Sequence, residues 1–102
     1  NKRPDAVYVA GDYAALGALQ VLNETNINIP NEIALVGFGN EPFTGMVTPT
    51  ITSIHQFSEE IGKKAAETFL SYVDKENVKQ TLNKIILNAE LIVRESSKRK
   101  II

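Results

Sequence analysis

An α/β domain built on a parallel sheet is predicted by three observations. Ile33-Ala34-Leu35-Val36-Gly37 is apolar or Gly throughout, without alternation, as in a central strand covered on both faces by helices. Ala6-Val7-Tyr8-Val9-Ala10 is a second buried-looking run, opened by Pro4-Asp5 and closed by Gly11. A helical pattern separates the two, so strand, helix and strand form a right-handed crossover whose strands end at one edge. Ligands of open α/β sheets bind at that carboxyl edge, so Gly11-Asp12 and Gly37 to Glu41 are expected to converge on a cleft.

Taken in order, the first helix is expected from about Tyr13 to Thr25, with Asp12 as its N-cap because a carboxylate there can accept from orphan first-turn amides. Ala14, Ala15, Leu16, Ala18, Leu19, Val21 and Leu22 wrap most of its circumference and leave a narrow stripe at Tyr13, Gly17, Gln20 and Glu24. Two readings stand: a helix buried inside a larger protein, or one with a face on the sheet and another on a partner subunit. Asn26 suits the left-handed position after the helix, and Pro30 prevents any return to helix before the central strand. Gly37 and Gly39 loosen the backbone at the end of that strand, and Pro42 turns the chain after Asn40-Glu41.

From Glu41 to Pro49 the sequence reads as a loop or short helical turn, with Phe43, Met46 and Val47 at helical spacing. Ile51 to Gln56 alternates and should be extended, and Phe57 or Ser58 opens a long amphipathic helix to about Val73. Phe57, Ile61, Ala65, Phe69 and Val73 mark its apolar face, and Glu59 and Glu60 suit the dipole of its first turn. Asp74 to Asn83 is a polar connection. Lys84 to Leu87 and Glu90 to Arg94 look like two extended segments around an Asn88-Ala89 bend. Residues 1–97 are expected to form one domain segment and 98–102 a polar tail.

The totals exclude several classes of function. Among 102 residues, 11 Lys and Arg face 12 Asp and Glu, for a formal charge of −1. That leaves no basic field for a nucleic-acid groove, and Lys98-Arg99-Lys100 reads as a solubilising end. With no Cys there is no disulfide framework or thiol nucleophile, which suits a cytoplasmic protein. No apolar run approaches the roughly 18 residues of a membrane span, and Asn1 opens nothing like a signal peptide, so a soluble chain is expected. The abrupt start at Asn1-Lys2-Arg3-Pro4-Asp5 is that expected of a fragment.

Bond chemistry finds no constellation. His55 is the only His, so a Ser/His/Asp triad or a His-rich metal site could draw on no imidazole beyond that single residue, and a structural polar contact is its expected role. Asp12, Glu41, Glu59 and Glu60 are accounted for largely by capping and a solvated first turn. Gly37-x-Gly39 lacks the third Gly of a dinucleotide fingerprint. No catalytic residue, metal ligand or cofactor is expected, and a small α/β enzyme is the weakest reading.

The order of segments carries more. Val9-Ala10-Gly11-Asp12, Ala15-Leu16-Gly17-Ala18, Ile29 to Ala34, Val36-Gly37-Phe38 and Pro49 to Gln56, followed by Gly62 and Ala65, together resemble the lactose repressor and galactose repressor family of bacterial regulators. The resemblance covers nearly the whole chain up to Glu95 and points to the C-terminal third of such a protein. It implies an incomplete, three-layer, periplasmic-binding-protein-like lobe of the type I kind. On that pattern Ala6 to Val47 belong to the C-terminal lobe, Thr52 to Gln56 cross between lobes, the helix after Ser58 packs in the N-terminal lobe, and Ile85 to Arg94 return.

The implied function is to bind a small, carbohydrate-related effector and to dimerise, in the cytoplasm, with operator DNA reached only through an N-terminal headpiece absent from this chain. The ligand residues it implies are Asp12, Gly39, Asn40, Gln56 and Ser58. Its homodimer interface would hold Leu16, Leu19, Phe43, Met46 and Val47. Two positions depart from the sugar-responsive pattern: Gly11 stands where many members have Asn, and Gly39 where they have Asp. Both polar anchors of a plain monosaccharide are therefore missing, and Gly39 admits close backbone approach or a bulkier ligand. A periplasmic sugar-binding protein of an uptake system shares the fold and is the alternative. The nearly two-sided helix favours the regulator, since a monomeric transport protein needs no second apolar face there.

Overall fold

A computed structural model describes residues 3–73 and 84–100. The chain divides into two compact units, Asn1–His55 with Glu90–Ile102, and Gln56–Ala89. Strand β1 (Ala6–Tyr8) pairs in parallel with β2 (Ala34–Val36), Val7 opposite Leu35, and α1 (Asp12–Glu24) links them. A parallel bridge joins Val36 to Thr52, and the Gly37 amide donates to the Thr52 carbonyl at 2.8 Å. Strand β2 is therefore central in its unit, as its unbroken apolar run predicts. Next, β3 (Ser53–His55) runs antiparallel to β4 (Glu90–Ile92), with His55 opposite Glu90.

Leu19 of α1, Leu35 of β2 and Ile51 form the core cluster, with Val7, Val9, Leu16 and Val47 packed on its margin. Leu19 is only 3 % exposed. This corrects its expected place at a dimer contact: the helix turns it onto the sheet, while Leu16 is half-buried beside it. Strand β1 is not the buried strand expected. Its burial alternates and Tyr8 is exposed, because among the described residues β1 has a strand neighbour on one side only.

The end of α1 closes as predicted. Asn26 adopts φ 59°, its amide donates to Asn23, and the Ile27 amide donates to Leu22 at 3.0 Å, the paired bonds of a Schellman cap. The start does not. Gly11 is the N-cap and Asp12 the first helical residue, from which the carboxylate turns outward to the loop after β2 instead of capping α1.

Residues Pro42–Gly45 form a 3-10 turn that presents Phe43 to Tyr13, ring centroids 5.0 Å apart. A second 3-10 turn, Glu95–Ser97, closes the segment before the basic end, and its Ser96 is fully buried. The Ser96 hydroxyl donates to the Leu35 carbonyl and accepts from the Thr52 amide, so this segment laces β2 to the following strand. The basic end is anchored too, since the Arg99 guanidinium donates to the carbonyls of Pro30 and Asp5.

In the second unit, α2 (Ser58–Val73) spans the expected residues. None of its side chains is buried, and Phe69, Leu70 and Val73 stay exposed. The extended segment expected at Lys84 to Leu87 is not assigned as a strand: among the described residues, 84–89 pair with nothing in a sheet, and Ile85 and Ile86 are exposed. The polar connection expected at Asp74 to Asn83 lies outside the described residues.

Candidate functional site

The carboxyl edge of β1 and β2 is organised by Asp12. Its amide donates to the Phe38 carbonyl at 3.1 Å, which brings the start of α1 against the loop leaving β2. Its side chain is 2 % exposed. One carboxylate oxygen accepts from the Glu41 amide at 2.6 Å, and the other from the Ser53 hydroxyl at 2.7 Å. Ser53, also buried, in turn accepts from the Asn40 amide at 3.0 Å. Gly11-Asp12 and Gly37 to Glu41 thus converge as expected. The expected ligand contact of Asp12 takes another form, because both oxygens are engaged inside the molecule and their effect is to shape the loop.

Two glycines make this arrangement possible. A Cβ on Gly37 would lie 2.4 Å from Asp12 Oδ1, so only a hydrogen fits between strand and carboxylate. Gly39 holds φ +122°, a conformation that disfavours any side chain, and its amide donates to the Ile54 carbonyl at 2.9 Å. At Gly11 nothing would meet a Cβ within 4 Å, and its φ of 169° is ordinary extended backbone. Space at Gly11 is therefore a matter of the missing side chain, whereas Gly39 is required by the turn itself.

Asn40 follows in the left-handed region, φ 58°, which Asn tolerates better than most residues. It is half-buried, and its Oδ1 accepts from the Arg94 guanidinium at 2.7 Å. Arg94 reaches it from just beyond β4. Its backbone amide donates to Thr52 Oγ1 at 2.8 Å, and a second guanidinium nitrogen donates to the Ile51 carbonyl at 2.8 Å. Sequence reasoning missed Arg94 as a site residue. The available signal was a single cation ending an otherwise apolar strand, Leu91-Ile92-Val93-Arg94, at a place where the chain returns to the sheet.

The edge thus brings together Asp12, Gly39 and Asn40, with Ser53 and Arg94 as their supports. Gln56 and Ser58 belong to the second unit, Ser58 as the first residue of α2. Of the expected interface residues, Met46 is 78 % exposed and Phe43 and Val47 are half-buried. A groove of about 900 Å³ lies beside the chain entering β2, lined by Ile29, Pro30, Pro49, Val93, Arg94 and Lys100 among others. Its lining includes none of the expected ligand residues. Among the described residues no cluster of His, Asp or Glu could hold a metal ion, and no helix is long and apolar enough to cross a membrane.

Comparison with known proteins gives this geometry a family. Residues 1–97 match the periplasmic binding protein-like domain. The chain is 38 % identical over 96 residues to the HTH-type transcriptional regulator GanR of Bacillus subtilis, covering 94 % of this chain and 28 % of that protein. Among solved structures, the transcriptional regulator CelR in complex with cellobiose superposes with a TM-score of 0.83 at 30 % identity, over 91 % of this chain and 28 % of that one. A LacI family regulator from Lactobacillus casei with bound sucrose gives a TM-score of 0.77 at 25 % identity, over 93 % of this chain and 34 % of that one. The chain spans under a third of the length of the curated relatives it matches. It belongs to the periplasmic binding protein-like domain family, in the form carried by LacI-type transcriptional regulators.

Proposed function

We propose that this chain is the carboxyl-terminal part of the effector-binding and dimerisation domain of a cytoplasmic LacI-type regulator, with a carbohydrate-related effector at the carboxyl edge of β1 and β2. The observation that carries the reading is the loop from Gly37 to Glu41, locked by Asp12, Ser53 and Arg94 so that half-buried Asn40 is held in one conformation. A rigid polar group at that edge is what a small-molecule site of an α/β sheet requires. CelR and the Lactobacillus casei regulator, similar in fold, hold cellobiose and sucrose. With Gly at both positions 11 and 39, no side chain from either position occupies the edge, which supports a ligand bulkier than a monosaccharide. Asn40 and the Gly39 backbone are the proposed contacts in the first unit. Gln56 and Ser58 are proposed as further contacts on the family resemblance alone.

The effector acts by binding one arrangement of the regulator better than another, and it shifts DNA affinity by no more than that difference. Operator contact falls to a headpiece outside this chain. The test is calorimetric titration of the full-length regulator with cellobiose, sucrose and their component monosaccharides. A disaccharide should bind more tightly than either half. Asn40→Ala should weaken it about tenfold, the worth of one hydrogen bond, while lowering the melting temperature only modestly through the lost Arg94 bond and the left-handed backbone. Unchanged affinity would remove Asn40 from the site.

A further inference from the structure

Asn40 presents a chemical ambiguity that its neighbours resolve. A carboxamide is a donor at one end and an acceptor at the other, and rotation by half a turn exchanges them. The guanidinium of Arg94 has donors only, and one of them lies 2.7 Å from the Asn40 side-chain oxygen. With the amide reversed, two donors would face each other at that distance. The orientation is therefore chosen by Arg94, and Arg94 is itself fixed by its bond to the Ile51 carbonyl and by the Thr52 hydroxyl that holds its backbone. The Asn40 backbone is tied separately through Ser53. Among the described residues the Asn40 Nδ2 makes no hydrogen bond, so the donor end is what the loop offers outward.

We infer that Arg94 is a positioning residue which orients the Asn40 amide so that the site offers an effector a hydrogen-bond donor and therefore selects ligands with an acceptor oxygen at that point. The inference rests on the proposed effector site and specifies its chemistry. A ring oxygen, a glycosidic oxygen or a hydroxyl used as an acceptor fits; an ammonium or other donor-only group does not. Arg94 touches no ligand in this scheme and acts through Asn40.

The experiment is a double-mutant cycle in the full-length regulator, titrated with cellobiose and sucrose and paired with the side-chain amide signal of Asn40 in its nuclear magnetic resonance spectrum. Arg94→Met should weaken sugar binding about tenfold in the wild-type background and by less than twofold in the Asn40→Ala background. Arg94→Lys, which keeps one donor, should restore part of the loss. The Asn40 amide protons should shift in Arg94→Met without any ligand. Equal losses in both backgrounds would show that Arg94 acts by holding the fold, and overturn the inference, as would full affinity in Arg94→Met. If the wild-type regulator binds neither sugar, the proposed function fails. The amide signal then decides the orientation separately, since a signal unmoved by Arg94→Met overturns it.

Discussion

The Asp12 carboxylate and the Ser53 hydroxyl meet at 2.7 Å, joining the first turn of α1 to β3 across the end of β2. Both residues are buried, and the same carboxylate holds the Glu41 amide, so its removal strands two polar groups at once. Hydrogen bonds to a charged group are worth about 1.5–3 kcal/mol each, and a stranded buried donor carries its full desolvation cost. Asp12→Ala should therefore cost about 3 kcal/mol in urea unfolding of this chain. Asp12→Asn, which keeps the volume and one acceptor, should cost roughly half. A loss well under 1 kcal/mol for the alanine variant would show that the pair contributes little to the fold.

Gly37 and Gly17 should respond in opposite directions to the same methyl group. At Gly37 an added Cβ meets Asp12 Oδ1 at 2.4 Å and Ala15 at 3.3 Å, so the carboxylate must leave its partners. Overpacking of this kind costs about 1–3 kcal/mol. At Gly17, within α1 and exposed, nothing lies within 4 Å, and Ala should stabilise the helix by about 0.5–1 kcal/mol. Thermal melts of the two single variants check the sign of each.

Acid should weaken the links that Glu32 and Glu95 make. Glu32 is held below the usual carboxylate range first by the Asn28 amide and then by Arg3; Glu95 by the Thr50 amide and then the Thr50 hydroxyl. Each folded-state pKa lies below its unfolded value of 4.5, so the unfolded chain binds more protons in that range. The stability they contribute is full above the unfolded value and is lost as pH falls through the lower folded value. Unfolding followed from pH 6 downward, on the order of the window these carboxylates define, should show a shallower fall in Glu95→Gln than in the parent chain. An identical profile would mean Thr50 gives Glu95 no net advantage.

Much of this was legible in residue order. The unbroken run at Ile33 to Gly37 announced a central parallel strand, and Asn26 announced the left-handed cap of α1, because both signals are local. Asp12 was visible as a carboxylate before a helix, but its partners Glu41 and Ser53 are 29 and 41 residues away, and only the fold decides between capping and bridging. Ser96 and Arg94 were opaque for the same reason. A hydroxyl in a polar segment, or a guanidinium closing an apolar one, reads as solvated until β2 and Ile51 are seen to lie within reach. Leu19 shows the limit of a nearly two-sided helix: periodicity counted its apolar residues without telling which of them the sheet would take.

With Leu19 assigned to the core, the proposed homodimer contact rests on a different set of side chains. Tyr13, 71 % exposed, lies against Phe43, while Met46 and Val21 are exposed and Ala14 and Gly17 fill the helix surface between Tyr13 and Val21. Each large apolar group returned from water is worth roughly 1.5–3 kcal/mol if fully buried, so the patch suits an isologous contact in which it meets its own copy across a two-fold axis. Leu16 is a poor probe, since it packs on the core cluster and a charge there would unfold the lobe as well as disrupt a dimer. Met46→Lys tests the contact alone. In the full-length regulator it should sediment as a monomer and lose operator affinity, because paired half-sites need two headpieces at a fixed spacing. Its sugar affinity should stay within about twofold of the parent, since Met46 belongs to neither the Asp12–Ser53 pair nor the Asn40–Arg94 pair. A Met46→Lys protein that still sediments as a dimer would refute the contact.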